Sequence, residues 1–374
     1  MSTSRLDEEI ADSSHNKAIA SLLPNLSVSS NHTLREPISG SSTASTFGQR
    51  YQHTATLTLT QPLFQGGAEY AGLGYASAER QIANFKTKQA ELDLAIEVAT
   101  GFFSLATVNA EISNLLEQDD LLEKRVIFLQ HWVRIGRSKP SELTAVQSQK
   151  AKIAADVSKA QSERQVSYET FLWLTGLENA NELEWESAPD AIPKQIDVDN
   201  LPAVRSLELE MENAERSRTI ARADYWPSVD LQGNYYLQRA GILAGSRWDL
   251  NLTLTWNLFS GGATAAESTI KAKEAQKKEI ELRDLKHRLR QDFLGQQRLL
   301  EFQKRTVEKL EQAVRYSRKN YLEQQEEFKK GLITNLEVLR AMDDYLQVKR
   351  ALDREKIASR LAVVRLKTLL GEKP

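Results

Sequence analysis

The sequence predicts a mixed α and β fold of the membrane-barrel kind: one unit built twice, whose four strands need further copies of the chain to close a barrel that long helical coils continue. Three observations predict it. A repeat runs in register through more than a hundred residues, short strands alternate in polarity beside Gly-Gly pairs, and two helical stretches run almost 70 residues without proline.

The repeat is explicit. Thr56–Ala68 reads TLTLTQPLFQGGA and Asn251–Ala263 reads NLTLTWNLFSGGA, identical at nine of thirteen positions and displaced by 195 residues. The same displacement carries Gly136 of RIGRSKPSEL onto Gly331 of KKGLITNLEV, and Gly176 of LTG onto Gly371 of LLG. Pro24 of LLPNLSVS and Pro227 of YWPSVDLQ are instead 203 apart. The first copy therefore holds about eight more residues between its strands, in the Ser/Thr/Gly-rich segment Ser29–Thr46, which reads as a loop. A period this long excludes a solenoid and indicates a duplicated half-molecule.

Each copy follows one order: leading helix, proline, strand, polar loop, strand, Gly-Gly, very long helix, Gly turn, return helix. The first copy spans 1–176, with strands at about 25–64, the long helix at 68–135 and the return helix at 141–175. An equatorial linker takes 177–202. The second spans 203–374, with a leading helix at Ala203–Tyr225, strands within about 229–259, the long helix at 263–330 and the return helix at 335–370.

Leu57 and Leu59 alternate with Thr58 and Thr60, and Leu252, Leu254 and Trp256 with Thr253 and Thr255, which suits a sheet with one apolar and one wet face. Tyr51, Phe64, Trp226, Trp248 and Phe259 sit near strand ends, where aromatic girdles of a membrane barrel belong. Gly66-Gly67 and Gly261-Gly262 turn strand into helix. Two separated hairpins flanked by such helices leave strand edges open. Three chains of four strands pair every edge in a twelve-stranded barrel, as a bilayer requires.

From Ala68 to Ile135 the helix would extend about 100 Å, far beyond a bilayer core of about 30 Å. Its apolar residues form two heptad seams: Val98, Leu105, Ile112, Val126 and Val133, interrupted at Asp119, and Leu94, Val108, Leu115, Leu122 and Leu129. The second copy keeps the first seam as Phe293, Leu300, Val307, Val314, Tyr321 and Phe328, while Gln296, Gln303, Ser317 and Gln324 make the other polar. The two long helices therefore differ in neighbours or in exposure.

Composition excludes several functions. Net charge is −2 with 27% charged residues, so no basic field points to nucleic acid. The chain has no Cys, hence no disulfide or thiolate chemistry. Mean hydropathy is −0.47, and no stretch approaches the apolar length of a spanning helix. The start, Met1-Ser2-Thr3-Ser4-Arg5, lacks the apolar core of a secretory signal, so an exported protein would be represented by its mature form or by an engineered version of it. His15, His32, His53, His131 and His287 are scattered without paired-ligand spacing and read as surface or loop residues. Gly66, Gly67, Gly72 and Gly74 match neither phosphate-loop pattern. Asp119-Asp120 and Asp343-Asp344 point to different sides of their helices and read as solvated faces. No catalytic residue, metal site or cofactor is expected.

Taken together, LTLTQPLFQGG and LTLTWNLFSGG, the LLP and YWP entries to strands, the Gly turns before SELTAVQ and NLEVLRA, and the terminal LTG and LLG resemble the TolC-like outer-membrane efflux family over almost the whole chain. The resemblance implies a homotrimer in outer-membrane lipid that extends into the periplasm. It also implies docking to a periplasmic adaptor and an inner-membrane transporter of the RND, ABC or MFS type, in efflux or type I secretion. The Gly136 and Gly331 turns would lie at the periplasmic tip, where acidic rings constrict the entrance. Glu337 matches the family's inner acid and Glu142 its counterpart in the first copy. Arg340 replaces the second acid, and Phe328 and Ile333 stand where the best-studied gate has a Tyr and an Arg. The alternative from another class is a soluble periplasmic coiled-coil scaffold or adaptor carrying a small β-domain.

Overall fold

Helix α1 (Ser2–Ala20) leads into strands β1 (Asn25–Leu34) and β2 (Tyr51–Gln65), helix α2 (Ala68–Arg134) and helix α3 (Pro140–Thr175). Helix α4 (Pro202–Arg222) and a 3-10 turn (Ala223–Tyr225) then lead into β3 (Ser228–Gln238), β4 (Trp248–Thr255), α5 (Ala263–Lys329) and α6 (Asn335–Leu369). The structure is a computed structural model and describes residues 2–34, 51–179, 195–239 and 245–372. Most of the linker at 177–202 and part of the loop at Ser29–Thr46 lie outside them.

Local chemistry sets the element ends. Pro140 and Pro202 start their helices, where their missing N–H is no loss and their φ is already helical. Gly136 (φ 73°) and Gly331 (φ 77°) end the long helices in the left-handed region. There Arg137 N–H donates to Trp132 O at 2.8 Å and Leu332 N–H to Glu327 O at 3.0 Å, satisfying carbonyls that the helix leaves free.

Three strand expectations are corrected. Ser29 to Leu34 belong to β1 rather than to a loop. The hairpins are not separate either: β2 pairs antiparallel with β3, giving one sheet of order β1-β2-β3-β4. That pairing explains why the duplicated sequences end differently. In β2, Phe64 and Gln65 still lie opposite Val229 and Ser228, whereas β4 stops at Thr255, opposite Ser228, where β3 has no further residue to offer. The second strand therefore falls short of the expected Phe259.

The chain forms two compact units, and each repeat contributes to both. The first contains residues 1–90 and 199–287, the second 91–198 and 288–374. In the first unit, Ile82, Ala78 and Val204 are buried, and Glu210 bridges Lys86 at 2.9 Å and Lys278 at 3.0 Å. In the second, Leu115, Leu122, Val126 and Leu129 of α2 form one core with Val146 and Ile153 of α3, Tyr321 and Phe328 of α5 and Val338, Met342 and Leu346 of α6. Both seams of α2 thus reach this core, but only the apolar seam of α5 does. On the other seam, the half-buried Gln296, Gln303 and Gln324 each have a side-chain oxygen without a hydrogen-bond partner.

Candidate functional site

The sheet segregates its side chains by face. Cross-strand partners Leu26 and Leu59, Val28 and Leu57, Leu57 and Tyr235, Leu231 and Leu252, and Val229 and Leu254 build one apolar surface. No core covers it: Leu250, Leu252 and Leu254 are 62, 67 and 64% exposed. Tyr51, Tyr235 and Trp248 lie toward its loop end, and Phe64, Trp226, Trp256 and Phe259 toward its helix end, all exposed. The opposite surface is a hydrogen-bonded polar ladder. Thr58 Oγ1 donates to Asn234 Oδ1 at 2.9 Å, Asn234 Nδ2 to Asp249 Oδ1 at 2.8 Å, and Tyr236 OH to Asp249 Oδ2 at 2.8 Å.

At the strand-to-helix corners all four glycines are left-handed: Gly66 and Gly261 at φ 66° and 65°, Gly67 and Gly262 at 86° and 88°. One corner is additionally walled in. A Cβ on Gly66 would stand 2.4 Å from the carbonyl oxygen of Ala223, whereas Gly261 faces open space.

The other end of each long helix carries the acidic candidates. Glu337 is exposed in the first turn of α6, where it forms a capping box with Thr334. The Thr334 N–H donates to Glu337 Oε2 at 2.6 Å and the Thr334 hydroxyl at 2.9 Å. These two bonds, the backbone one first, hold its carboxyl below the usual range, with a smaller contribution from the cation of Arg340. Arg340 is also exposed. Glu142 occupies the same turn of α3 and accepts from the Ser138 hydroxyl.

Beside these acids lies a residue that the heptad reading passed over. Arg125 is 7% exposed, stands 4.1 Å over the Phe328 ring and donates from Nε to Asn335 Oδ1 at 2.7 Å. Burial lowers its pKa to about 10. Phe328 also stacks on Trp132 at 5.2 Å, and Ile333 packs on the same core. The two positions expected to lack a polar gate are therefore filled by core packing. Asp343 corrects the expectation of a solvated face. It accepts from Gln149 at 3.1 Å and Gln118 at 3.2 Å, while burial raises its carboxyl pKa against the pull of those bonds and of Arg350.

Family comparison covers almost the whole chain: the family described as outer membrane efflux protein matches residues 1–177 and 198–372. The chain belongs to that family. A search of curated proteins gives no match. Among solved structures, the outer membrane protein VceC of Vibrio cholerae is 17% identical, covers 100% of this chain and 93% of its own, and superposes with a TM-score of 0.87. The CmeC outer membrane channel of Campylobacter jejuni is 14% identical over 100% and 82%, also at 0.87. The MtrE outer membrane channel of Neisseria gonorrhoeae is 18% identical over 99% and 85%, at 0.79.

As an outer membrane efflux protein, the chain is a channel of the outer membrane, and the soluble-scaffold alternative falls away. Among the described residues no helix is long and apolar enough to cross a membrane. The uncovered apolar face of the sheet is the surface suited to lipid. No group of three or more His, Cys, Asp or Glu converges among the described residues. The histidines are nevertheless not all scattered, because strand register brings His32 opposite His53. Their separation in sequence gave no local signal of the pair.

Proposed function

We propose that three copies of this chain join their sheets into a twelve-stranded outer-membrane barrel, polar ladder inward, and that its helices form the periplasmic duct of a tripartite efflux or secretion system. A periplasmic adaptor couples the duct to an inner-membrane transporter of the RND, ABC or MFS type, which supplies the energy. The channel conducts passively. The observation that carries this reading is the two-faced sheet with open outer edges. Among the described residues strands β1 and β4 each pair on one side only, and a bilayer tolerates neither open edge. Edge pairing of β4 with β1 of the next copy closes the ring.

The entrance lies at the Gly136 and Gly331 turns. Three Glu337 carboxylates around the axis make a negative ring that favours cations, with Glu142 as the first-copy counterpart. Arg340, one helical turn on, weakens that field. Glu337→Gln is an informative substitution because Gln at this position still serves a capping box, so charge is removed while the helix start is kept.

In planar bilayers Glu337→Gln is expected to lower cation preference and block by multivalent cations, and Arg340→Ala to raise both. Reversal potentials unchanged in both variants would remove these residues from the constriction. A monomer or dimer mass by light scattering in detergent would overturn the trimer.

A further inference from the structure

His32 and His53 face each other across the first hairpin, 21 positions apart in the chain but direct register partners. Their rings stack with centroids 4.2 Å apart and planes inclined by 20°. The two Nε2 atoms converge on one oxygen, lying 3.0 Å (His32) and 3.1 Å (His53) from the Ser30 hydroxyl. Their Nδ1 atoms turn outward, to the Tyr51 hydroxyl for His32 and to Gln238 Oε1 at 2.7 Å for His53.

Proton accounting gives this arrangement a second state. Gln238 Oε1 only accepts, so His53 carries its proton on Nδ1 and offers a lone pair at Nε2. With no ion bound the chain closes as a relay: Tyr51 donates to His32 Nδ1, His32 Nε2–H to Ser30, and Ser30 to His53 Nε2. If the His32 proton moves to Nδ1 and is donated in a hydrogen bond to the Tyr51 oxygen, both Nε2 lone pairs are free beside the same hydroxyl, and a modest rotation of the rings out of their stack aims both at one ion. No proton is gained or lost. Imidazoles held at Nδ1 by outer acceptors, with Nε2 free, are the arrangement that metal-ligating histidines adopt.

We propose that His32 and His53, with the Ser30 hydroxyl and water, bind a divalent transition-metal ion of the Zn2+, Ni2+ or Cu2+ class and so pin the loop end of the β1–β2 hairpin. Two neutral imidazoles suit such ions, whereas Mg2+ and Ca2+ seek oxygen ligands. The location permits access. Trp248 pairs with Tyr235 and Tyr235 with Leu57, so the His32 and His53 pair stands two same-face positions farther toward the loops than this aromatic belt. Leu34 and its register partner Tyr51 follow the pair on the same face toward the loops, so the pair sits at the loop end of that face, where His32 is exposed.

The test is titration of the chelator-stripped full-length protein in detergent with ZnCl2 or NiCl2, followed by calorimetry. The expected result is saturable binding of one ion per chain, with no such response to MgCl2. His32→Gln and His53→Gln should each abolish it, Gln238→Leu should weaken it about tenfold or more, and His131→Gln should leave it unchanged. X-ray absorption of the zinc-loaded wild type should show two imidazole nitrogens at about 2.0–2.1 Å. That measurement needs no variant to fold. Absence of saturable binding, a spectrum without the two imidazoles, or full binding by the doubly substituted protein overturns the site. Because ions are counted per chain, the result is independent of the trimer and of its conductance.

Discussion

Leucine has opposite surroundings in the two units of this protein. In the sheet, Leu250, Leu252 and Leu254 lie largely uncovered on a face whose polar reverse is hydrogen-bonded. In the helical unit, Leu122 and Leu129 are fully buried among side chains from four helices. The same residue type thus implies two solvents, lipid in one unit and packed protein in the other. Each requires its own neighbours: alternation with Thr in the sheet, heptad spacing in the coil.

Truncation separates the two settings most strongly. Leu129→Ala leaves a cavity in the helical core and is expected to cost about 2–5 kcal/mol, read as an earlier loss of helical circular dichroism on heating. Leu252→Ala leaves no protein cavity and should shift the same melt far less. Equal shifts would mean that Leu252 sits in a protein core and that the lipid assignment is wrong.

Charge reads the difference from the other side. Leu252→Arg should cost about 2–4 kcal/mol in the membrane, seen as reduced outer-membrane assembly in cell fractionation, whereas Thr253→Arg should assemble normally. Similar losses in both variants would break the distinction between the faces.

The smallest effect concerns a polar group within the coil. Burial raises the folded-state pKa of Asp343, so the folded chain holds this proton more tightly than the unfolded one. Asp343 therefore subtracts from stability as pH rises from its unfolded value, about 3.9, through its folded one. Asp343→Asn keeps an acceptor for Gln118 and Gln149 without the charge. It should raise the melting midpoint by a few degrees at pH 7 and leave it unchanged near pH 3. A midpoint lowered at pH 7 would show that Asp343 stabilises the coil through its charge.

Features that local chemistry sets were legible in the sequence. Pro140, the Gly136 and Gly331 turns and the heptads placed the long and return helices to within a residue or two of their ends. Alternation gave the faces of the strands correctly. Features set by partners distant in sequence were not legible. Nothing near Phe259 says that β3 runs out opposite Thr255, and nothing near Arg125 announces Asn335 and Phe328, more than 200 residues away. Asp343 misled because an acid on an amphipathic helix is ordinarily solvated, whereas here two glutamines from α2 and α3 enclose it. The acidic candidates rest on position in the sequence alone, and the engagement of Glu337 with Thr334 emerges only from the folded helix start.

The paired glycine corners bear on how duplicated halves diverge. Gly261 has the same backbone twist as Gly66 but open space around it, so Asn or Asp, which enter the left-handed region at modest cost, are admissible there. At Gly66 the Ala223 carbonyl forbids any side chain. Two positions that began as one residue therefore carry unequal substitution rules, and across descendants of this gene the first corner should stay glycine while the second drifts.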